Sequence, residues 1–239
     1  MQPSERRLID KAREAISSCA LFRGLGPEQR AQLTERVRLR TYAAGETIFS
    51  MGDPGASLMA VVEGSVSVGV PSPEGKEIIL AIMHPGDVLG EIGLLDGRER
   101  SADARGMEAC TLAVLERRDV LRVFEGCPQA YFEVVQLLCE RIRRTTTQVA
   151  EVTLLDLPSR LARVLLRVAT AQRAGAADAA LDPVKLSQRE LGAIVGATRE
   201  SVNKCLRNWQ RSRIVEVQGS AIRILDQAAL KILADQFES

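Results

Sequence analysis

The chain is poor in histidine and has no clustered cysteines. Its 239 residues include one histidine, His84, and five cysteines without CxxC spacing. Zinc and iron–sulfur sites need several such ligands close together, so we expect no metal, no haem and no iron–sulfur cluster. The same scarcity leaves no metal-bound water or activated nucleophile, and this argues against an enzyme.

Long apolar runs are missing as well. No stretch approaches the roughly 18 consecutive apolar residues of a membrane span. Residues 1–20 are charged and amphipathic and lack the apolar core of a signal peptide. We therefore expect a cytoplasmic protein with no membrane partner.

The net charge of +1 hides an asymmetry along the chain. Residues 158–239 hold 13 lysine and arginine residues against 8 aspartate and glutamate residues, whereas residues 1–157 hold 19 against 23. We expect a polyanion such as DNA to dock on the basic C-terminal third.

The N-terminal half has the pattern of a β domain. Short β-rich runs alternate with glycine and proline turns over residues 41–116, and 14 of the 18 glycines lie in residues 1–126. Many short strands with regular turns predict a barrel, jelly roll or sandwich.

One segment of this domain, residues 89–101, is suited to a small anion. Gly90 allows close backbone approach, Arg100 offers a rigid fork of donors for a phosphate, and Ser101 adds a hydroxyl. An ionised Glu91 only accepts hydrogen bonds, so it suits a ligand hydroxyl such as a ribose 2′-OH. Phosphate and ribose together predict a nucleotide; the alternative is a turn with a weak surface ion pair.

A long helix with an apolar seam is predicted after Pro128. Residues on the seam recur at spacings of three and four: Val135, Leu138, Ile142, Thr145, Val149 and Val152. This heptad pattern predicts a homodimer through residues 135–156, although a helix packed on its own β domain uses similar spacing. Pro158 predicts that the helix ends near Asp156 and that another begins at Ser159.

The C-terminal residues predict a helix-turn-helix. Ser187 and Glu190 form a capping box, Gly196 ends the short helix, and Thr198 caps a second one. The second helix has an apolar face and a face of charged and amide groups that begins with Arg199 and Glu200. Such a face is typical of a recognition helix, but also of an ordinary solvated surface. A hairpin predicted over residues 214–225 would form a wing.

These features together resemble the bacterial CRP/FNR family of transcription regulators over roughly residues 20–228. Gly90-Glu91 with Arg100-Ser101 is similar to the family's phosphate-binding cassette, in which the glutamate takes the ribose 2′-OH. The run 141–146 is similar to the segment that contacts the purine, partly across the dimer, and the match places Arg141 near Glu91.

The resemblance extends to the helix-turn-helix over residues 191–202. It carries Arg199 and Glu200 onto base-reading positions of the family. Lys204 departs from the family's cAMP receptor, which has arginine there. A lysine lacks the planar fork with which arginine pairs bidentately with guanine. The resemblance therefore does not fix the base preference at the outer part of a TGTGA-like half-site.

The resemblance implies an α+β fold. We expect a cyclic-nucleotide-binding β-roll in residues 1–127, a dimerisation helix in 128–157 and a winged helix-turn-helix in 158–239. The implied ligand is cAMP or cGMP. The implied partners are double-stranded DNA, a second copy of the chain and RNA polymerase.

The resemblance also implies site residues. The ligand contacts are Gly90, Glu91, Arg100, Ser101, Arg141, Thr145 and Thr146. The DNA contacts are Ser187, Gln188, Thr198, Arg199, Glu200, Asn203 and Lys204. Two alternatives stay open: a family regulator that responds to cyclic di-GMP or to no ligand, and a cyclic-nucleotide regulatory subunit that does not bind DNA.

Overall fold

The structure, a computed structural model, describes residues 3–71, 77–172 and 183–235. The chain forms two compact units. One comprises residues 1–75 and 79–143, and the other comprises residues 144–239 together with 76–78. None of the helices in the described ranges combines the length and apolarity of a membrane span.

Among the described residues, the N-terminal part of the chain contains eight strands and the helices that flank them. The helices before the strands are α1 (Pro3–Ser18), a 3₁₀ turn (Ala20–Phe22) and α2 (Pro27–Glu35). The strands are β1 (Arg38–Tyr42), β2 (Thr47–Phe49), β3 (Ser57–Glu63), β4 (Val66–Pro71), β5 (Glu77–Met83), β6 (Val88–Leu89), β7 (Asp103–Gly106) and β8 (Cys110–Glu116). Helix α3 (Glu91–Asp96) follows β6, and α4 (Arg117–Glu125) follows β8.

The strands form two four-stranded sheets, as the alternation of short strands and turns predicts. Their orders are β1-β8-β3-β6 and β2-β7-β4-β5. Side chains from both sheets share one core, which includes Phe49, Val61, Val66 and Leu112. A second core lies between the first sheet and the helices, with Phe22 and Phe124 packed edge to face. The predicted β-roll is therefore confirmed.

Helix α5 (Pro128–Leu154) is the predicted long helix. Val135, Ile142, Val149 and Val152 of the predicted seam are exposed. Leu138 differs, because it packs partly against the core of its own β domain. The helix thus has one side against the β domain and an apolar stripe at the surface.

The break after α5 lies close to the predicted position. Helix α6 (Leu157–Gln172) begins two residues earlier than expected from Pro158. A proline is tolerated in the first turn of a helix, where its missing N–H has no helical acceptor, so Leu157 is helical. The carboxylate of Asp156 accepts the Ser159 amide at 2.8 Å and caps this turn.

The second unit contains the predicted winged helix-turn-helix. Its elements are β9 (Val184–Lys185), α7 (Gln188–Val195), α8 (Arg199–Arg211), β10 (Val215–Gln218), β11 (Ala221–Ile224) and α9 (Gln227–Ala234). Helix α6 packs against α7, α8 and α9. The wing hairpin β10–β11 gains β9 as a third strand, which the sequence pattern did not reveal because it has only two residues.

Candidate nucleotide and DNA sites

A tight turn brings the start of α3 close to Arg100. Strand β6 ends at Leu89, and Gly90 has a φ of +83°, a left-handed conformation that favours glycine. A Cβ at this position would lie 2.2 Å from Nη1 of Arg100. Glycine at position 90 therefore favours both the left-handed turn and the close approach of the guanidinium.

The Arg100 side chain is held in place by neutral groups. It is only 5% exposed. Its Nη1 donates to the Gly90 carbonyl at 3.0 Å, and its Nη2 donates to Oγ of Ser57 at 2.9 Å. The guanidinium carbon lies 4.3 Å from the ring centroid of Phe49, within cation–π range.

The charge of Arg100 is not neutralised by a direct ion pair within the described part of the chain. Its Nε is buried and has no hydrogen-bond partner there. Burial lowers the pKa of Arg100, with Glu91 and Asp53 opposing this effect at longer range. A buried cation with a free donor is a site where an anion such as a phosphate stabilises the protein.

Glu91 and Arg141 form an ion pair beside this site. Nη1 of Arg141 lies 3.1 Å from Oε1 of Glu91, and Nη2 of Arg141 donates to the Val88 carbonyl at 2.5 Å. Glu91 is 1% exposed, and burial raises the pKa of its carboxyl while Arg141 lowers it. Its Oε1 is within ion-pair distance but lacks hydrogen-bond geometry, so it keeps the capacity to accept a hydroxyl.

The other residues predicted to bind the nucleotide are exposed. Ser101 lies at the surface next to Arg100, and Thr145 and Thr146 lie on the surface of α5 about one turn beyond Arg141. Sequence reasoning missed Ser57 and Phe49, which hold Arg100 from β3 and β2. These strands are 43 or more residues earlier in the chain, and no local motif marks them.

The helix-turn-helix is fixed by its caps. Oγ of Ser187 accepts the Glu190 amide at 3.2 Å, and the Glu190 carboxylate accepts the Ser187 amide at 2.7 Å. Nε2 of Gln188 donates to the Gly219 carbonyl at 3.3 Å and so ties α7 to the wing. Two of the predicted DNA contacts, Ser187 and Gln188, thus also hold the domain together.

Helix α8 has the two faces that the sequence predicts. Val202, Cys205, Leu206 and Trp209 are buried. Arg199, Glu200 and Lys204 are exposed, and Asn203 is half-buried. Oγ1 of Thr198 caps the helix by accepting the Ser201 amide at 3.2 Å.

The carboxyl of Glu200 is kept ionised at the start of α8. Its pKa is lowered by its own backbone N–H and by the Thr198 hydroxyl. An ionised carboxylate accepts hydrogen bonds, and at the N-terminus of a recognition helix it is suited to a cytosine amino group.

A shallow groove of about 360 Å³ runs along this exposed face. It is lined by Glu200, Asn203, Lys204, Arg207, Asn208 and Arg211. The last three were not among the predicted DNA contacts, although the 3.6-residue period places Arg207 on the same face.

Two family models match the two units. The cyclic nucleotide-binding domain matches residues 39–127, and the Crp-like helix-turn-helix domain matches residues 159–233. The CRP-like cAMP-activated global transcriptional regulator of Mycobacterium tuberculosis is 32% identical over 91% of this chain and 97% of its own length.

Solved structures share the fold. A CRP-family transcriptional regulator from Thermus thermophilus is 29% identical, with a TM-score of 0.69 over 82% of this chain and 97% of its own. The c-di-GMP-responsive global regulator CLP of Xanthomonas campestris is 22% identical, with a TM-score of 0.73 over 83% of this chain and 99% of its own.

The buried ion pair gives a prediction for stability and pH. Arg141→Ala leaves the Glu91 carboxylate buried without its partner. We expect a loss of about 2 kcal/mol at neutral pH, less than the roughly 3 to 5 kcal/mol of a fully buried pair because Arg141 is 27% exposed. Burial raises the folded-state pKa of Glu91, so protonation at low pH favours the folded state and the loss should shrink from pH 8 towards pH 5.

Urea unfolding of the wild type and variant at the two pH values measures this difference. Arg141→Ala combined with Glu91→Gln is the control, since it removes the unpaired charge and should recover much of the stability. An equal loss at both pH values would show that the pair does not act as described.

Proposed function

Because this chain belongs to the CRP/FNR family of transcription regulators, we propose that it is a homodimer whose DNA binding is controlled by a cyclic mononucleotide. The family consists of regulators with a nucleotide-binding domain and a helix-turn-helix, not of enzymes. The ligand we propose is cAMP or cGMP, and the name of the M. tuberculosis relative makes cAMP the first to test.

The observation that carries this proposal is the buried guanidinium of Arg100. It has a free Nε and no direct carboxylate partner among the described residues, and it lies beside the backbone of Gly90. A cyclic phosphate supplies the missing negative charge. Ser101 would add a hydroxyl donor to the phosphate, and Glu91 would accept the ribose 2′-OH.

The purine would contact α5. Thr145 and Thr146 are exposed on this helix, and each hydroxyl both donates and accepts. For this reason the two threonines suit an adenine amino group and a guanine carbonyl equally. Arg141 would keep Glu91 ionised while it holds the ribose.

The exposed stripe on α5 supports the homodimer. Val135, Ile142 and Val149 are between 54% and 65% exposed, and they recur every seven residues. An apolar heptad stripe is buried most simply by its copy in a second chain. We propose that residues 135–156 form this interface.

We propose that the dimer binds a palindromic TGTGA-like operator. Two recognition helices related by twofold symmetry must lie about 34 Å apart to enter successive major grooves. Arg199, Glu200 and Lys204 would read the bases, with Thr198 and Asn203 beside them. A cytoplasmic location and a contact with RNA polymerase follow from the same role.

The two alternatives are a regulatory subunit that does not bind DNA and a family regulator that responds to cyclic di-GMP or to no ligand. The match of residues 159–233 to a Crp-like helix-turn-helix speaks against a regulatory subunit that does not bind DNA. The likeness to the c-di-GMP-responsive CLP protein concerns the fold alone and does not favour cyclic di-GMP as the ligand. Titration of cyclic di-GMP beside cAMP and cGMP tests this alternative.

Replacing Arg100 tests the nucleotide site. Arg100→Leu removes the phosphate's charged partner and should weaken cAMP binding at least about 100-fold, or about 2.7 kcal/mol, in isothermal titration calorimetry. The unliganded protein should keep its fold, because removing a costly buried charge offsets the loss of the hydrogen bonds to Gly90 and Ser57.

Arg98→Leu is the matched control, since Arg98 is two residues away and exposed. It should bind cAMP as the wild type does. Near-native affinity in Arg100→Leu would remove Arg100 from the site.

Replacing Glu200 tests base reading. Glu200→Ala removes the acceptor at the start of α8 and should reduce discrimination at one base pair by about 1 to 3 kcal/mol. Competition binding against operators mutated at each position measures the change. If the variant ranks the whole operator set as the wild type does, Glu200 does not read a base.

A further inference from the structure

The exposed ridge of α8 continues well beyond the residues proposed to read bases. At 100° per residue, Glu200, Lys204, Arg207 and Arg211 fall within an arc of about 60°. All four are exposed and line the same groove, with Asn203 and Asn208 at its sides. Three cations thus follow one acid along a single line of the helix.

The cations of this ridge have no carboxylate partners in the described part of the chain. Among the described residues of the second unit, Glu151 pairs with Arg163 and Arg167, and Glu216 pairs with Arg223. Like charges at spacings of three and four destabilise a helix, and the helix dipole offsets this only in the last turn. Helix stability alone therefore does not account for Arg207.

The length of the ridge suggests what it binds. Arg211 follows Glu200 by eleven positions, which is about 16.5 Å along the helix axis. The major groove of DNA is about 12 Å wide, and recognition helices present their N-terminal residues to the base edges. The C-terminal end of α8 then reaches the rim of the groove, where phosphates lie.

We infer that Arg207 and Arg211 form a phosphate clamp at the C-terminal end of the recognition helix, a second DNA contact that carries no base preference. This inference rests on the proposed DNA-binding function. Guanidinium groups bind phosphates bidentately, and phosphate contacts fix the register of a protein on DNA. The clamp would set how deeply Glu200 and Lys204 enter the groove.

Salt dependence separates phosphate contacts from base contacts. Each phosphate contact contributes about 0.9 to the slope of log affinity against log salt concentration. We would measure binding of the cAMP-saturated full-length protein to a palindromic TGTGA duplex and to a scrambled duplex, between about 50 and about 200 mM salt. The variants are Arg207→Gln and Arg211→Gln, each checked for a wild-type melting temperature.

A matched control is Lys231→Gln. Lys231 is an exposed cation of α9 that does not line the groove. Its removal changes the charge of the domain by the same amount and should leave the slope unchanged.

We expect each ridge variant to lose about 0.9 of the slope, so that the rise in salt weakens it about 3.5-fold less than it weakens the wild type. The loss of affinity at low salt should be similar on both duplexes. Wild-type slopes in both variants, or a changed preference for one base pair with an unchanged slope, would overturn the clamp alone. A wild-type protein without salt-dependent DNA binding would overturn the proposed function and the clamp together.

Discussion

The buried charge of Arg100 is the constraint on which the proposed nucleotide site depends. Arg100 is 5% exposed, so its guanidinium loses most of its hydration. The groups that hold the guanidinium are neutral: the Gly90 carbonyl, the Ser57 hydroxyl and the Phe49 ring. These contacts orient the charge without cancelling it. In the proposed function this uncancelled charge attracts the phosphate to one place in the β domain, and glycine at position 90 leaves room for the guanidinium.

Helix α5 links this site to the rest of the chain. Arg141 pairs with Glu91 and also donates to the Val88 carbonyl, so one turn of α5 is fixed both to the start of α3 and to β6. The same helix continues to Leu154 and carries the threonines and the apolar stripe. In the proposed mechanism, a nucleotide bound to Glu91 and the threonines changes how the two α5 helices pack in the dimer. This change in packing repositions the two recognition helices. A ligand shifts such an equilibrium only by its differential affinity for the two states.

The sequence predicted most of these elements because their signals are local. The caps Ser187 and Thr198, the inward face of α8 and the spacing of Glu91 and Arg100 are read within single segments, and the structure shows the elements where they were expected. Ser57 and Phe49 could not be found in this way, because the sheets bring them to Arg100 from distant strands. The period puts Leu138 on the predicted seam, and in the structure this residue packs partly against the core of the β domain. The spacing of apolar residues alone does not show whether a residue of α5 faces its own β domain or a second copy of the chain.

In the proposed mechanism, the binding of the nucleotide and the binding of DNA are coupled through one dimer. Calorimetric titration of cAMP into the protein alone, and into the protein saturated with a palindromic TGTGA duplex, tests this coupling most directly. Coupling of about 1 to 3 kcal/mol predicts that DNA tightens cAMP binding about 5- to 150-fold, and that cAMP tightens DNA binding by the same factor. A cAMP affinity that is the same with and without the operator would contradict the account.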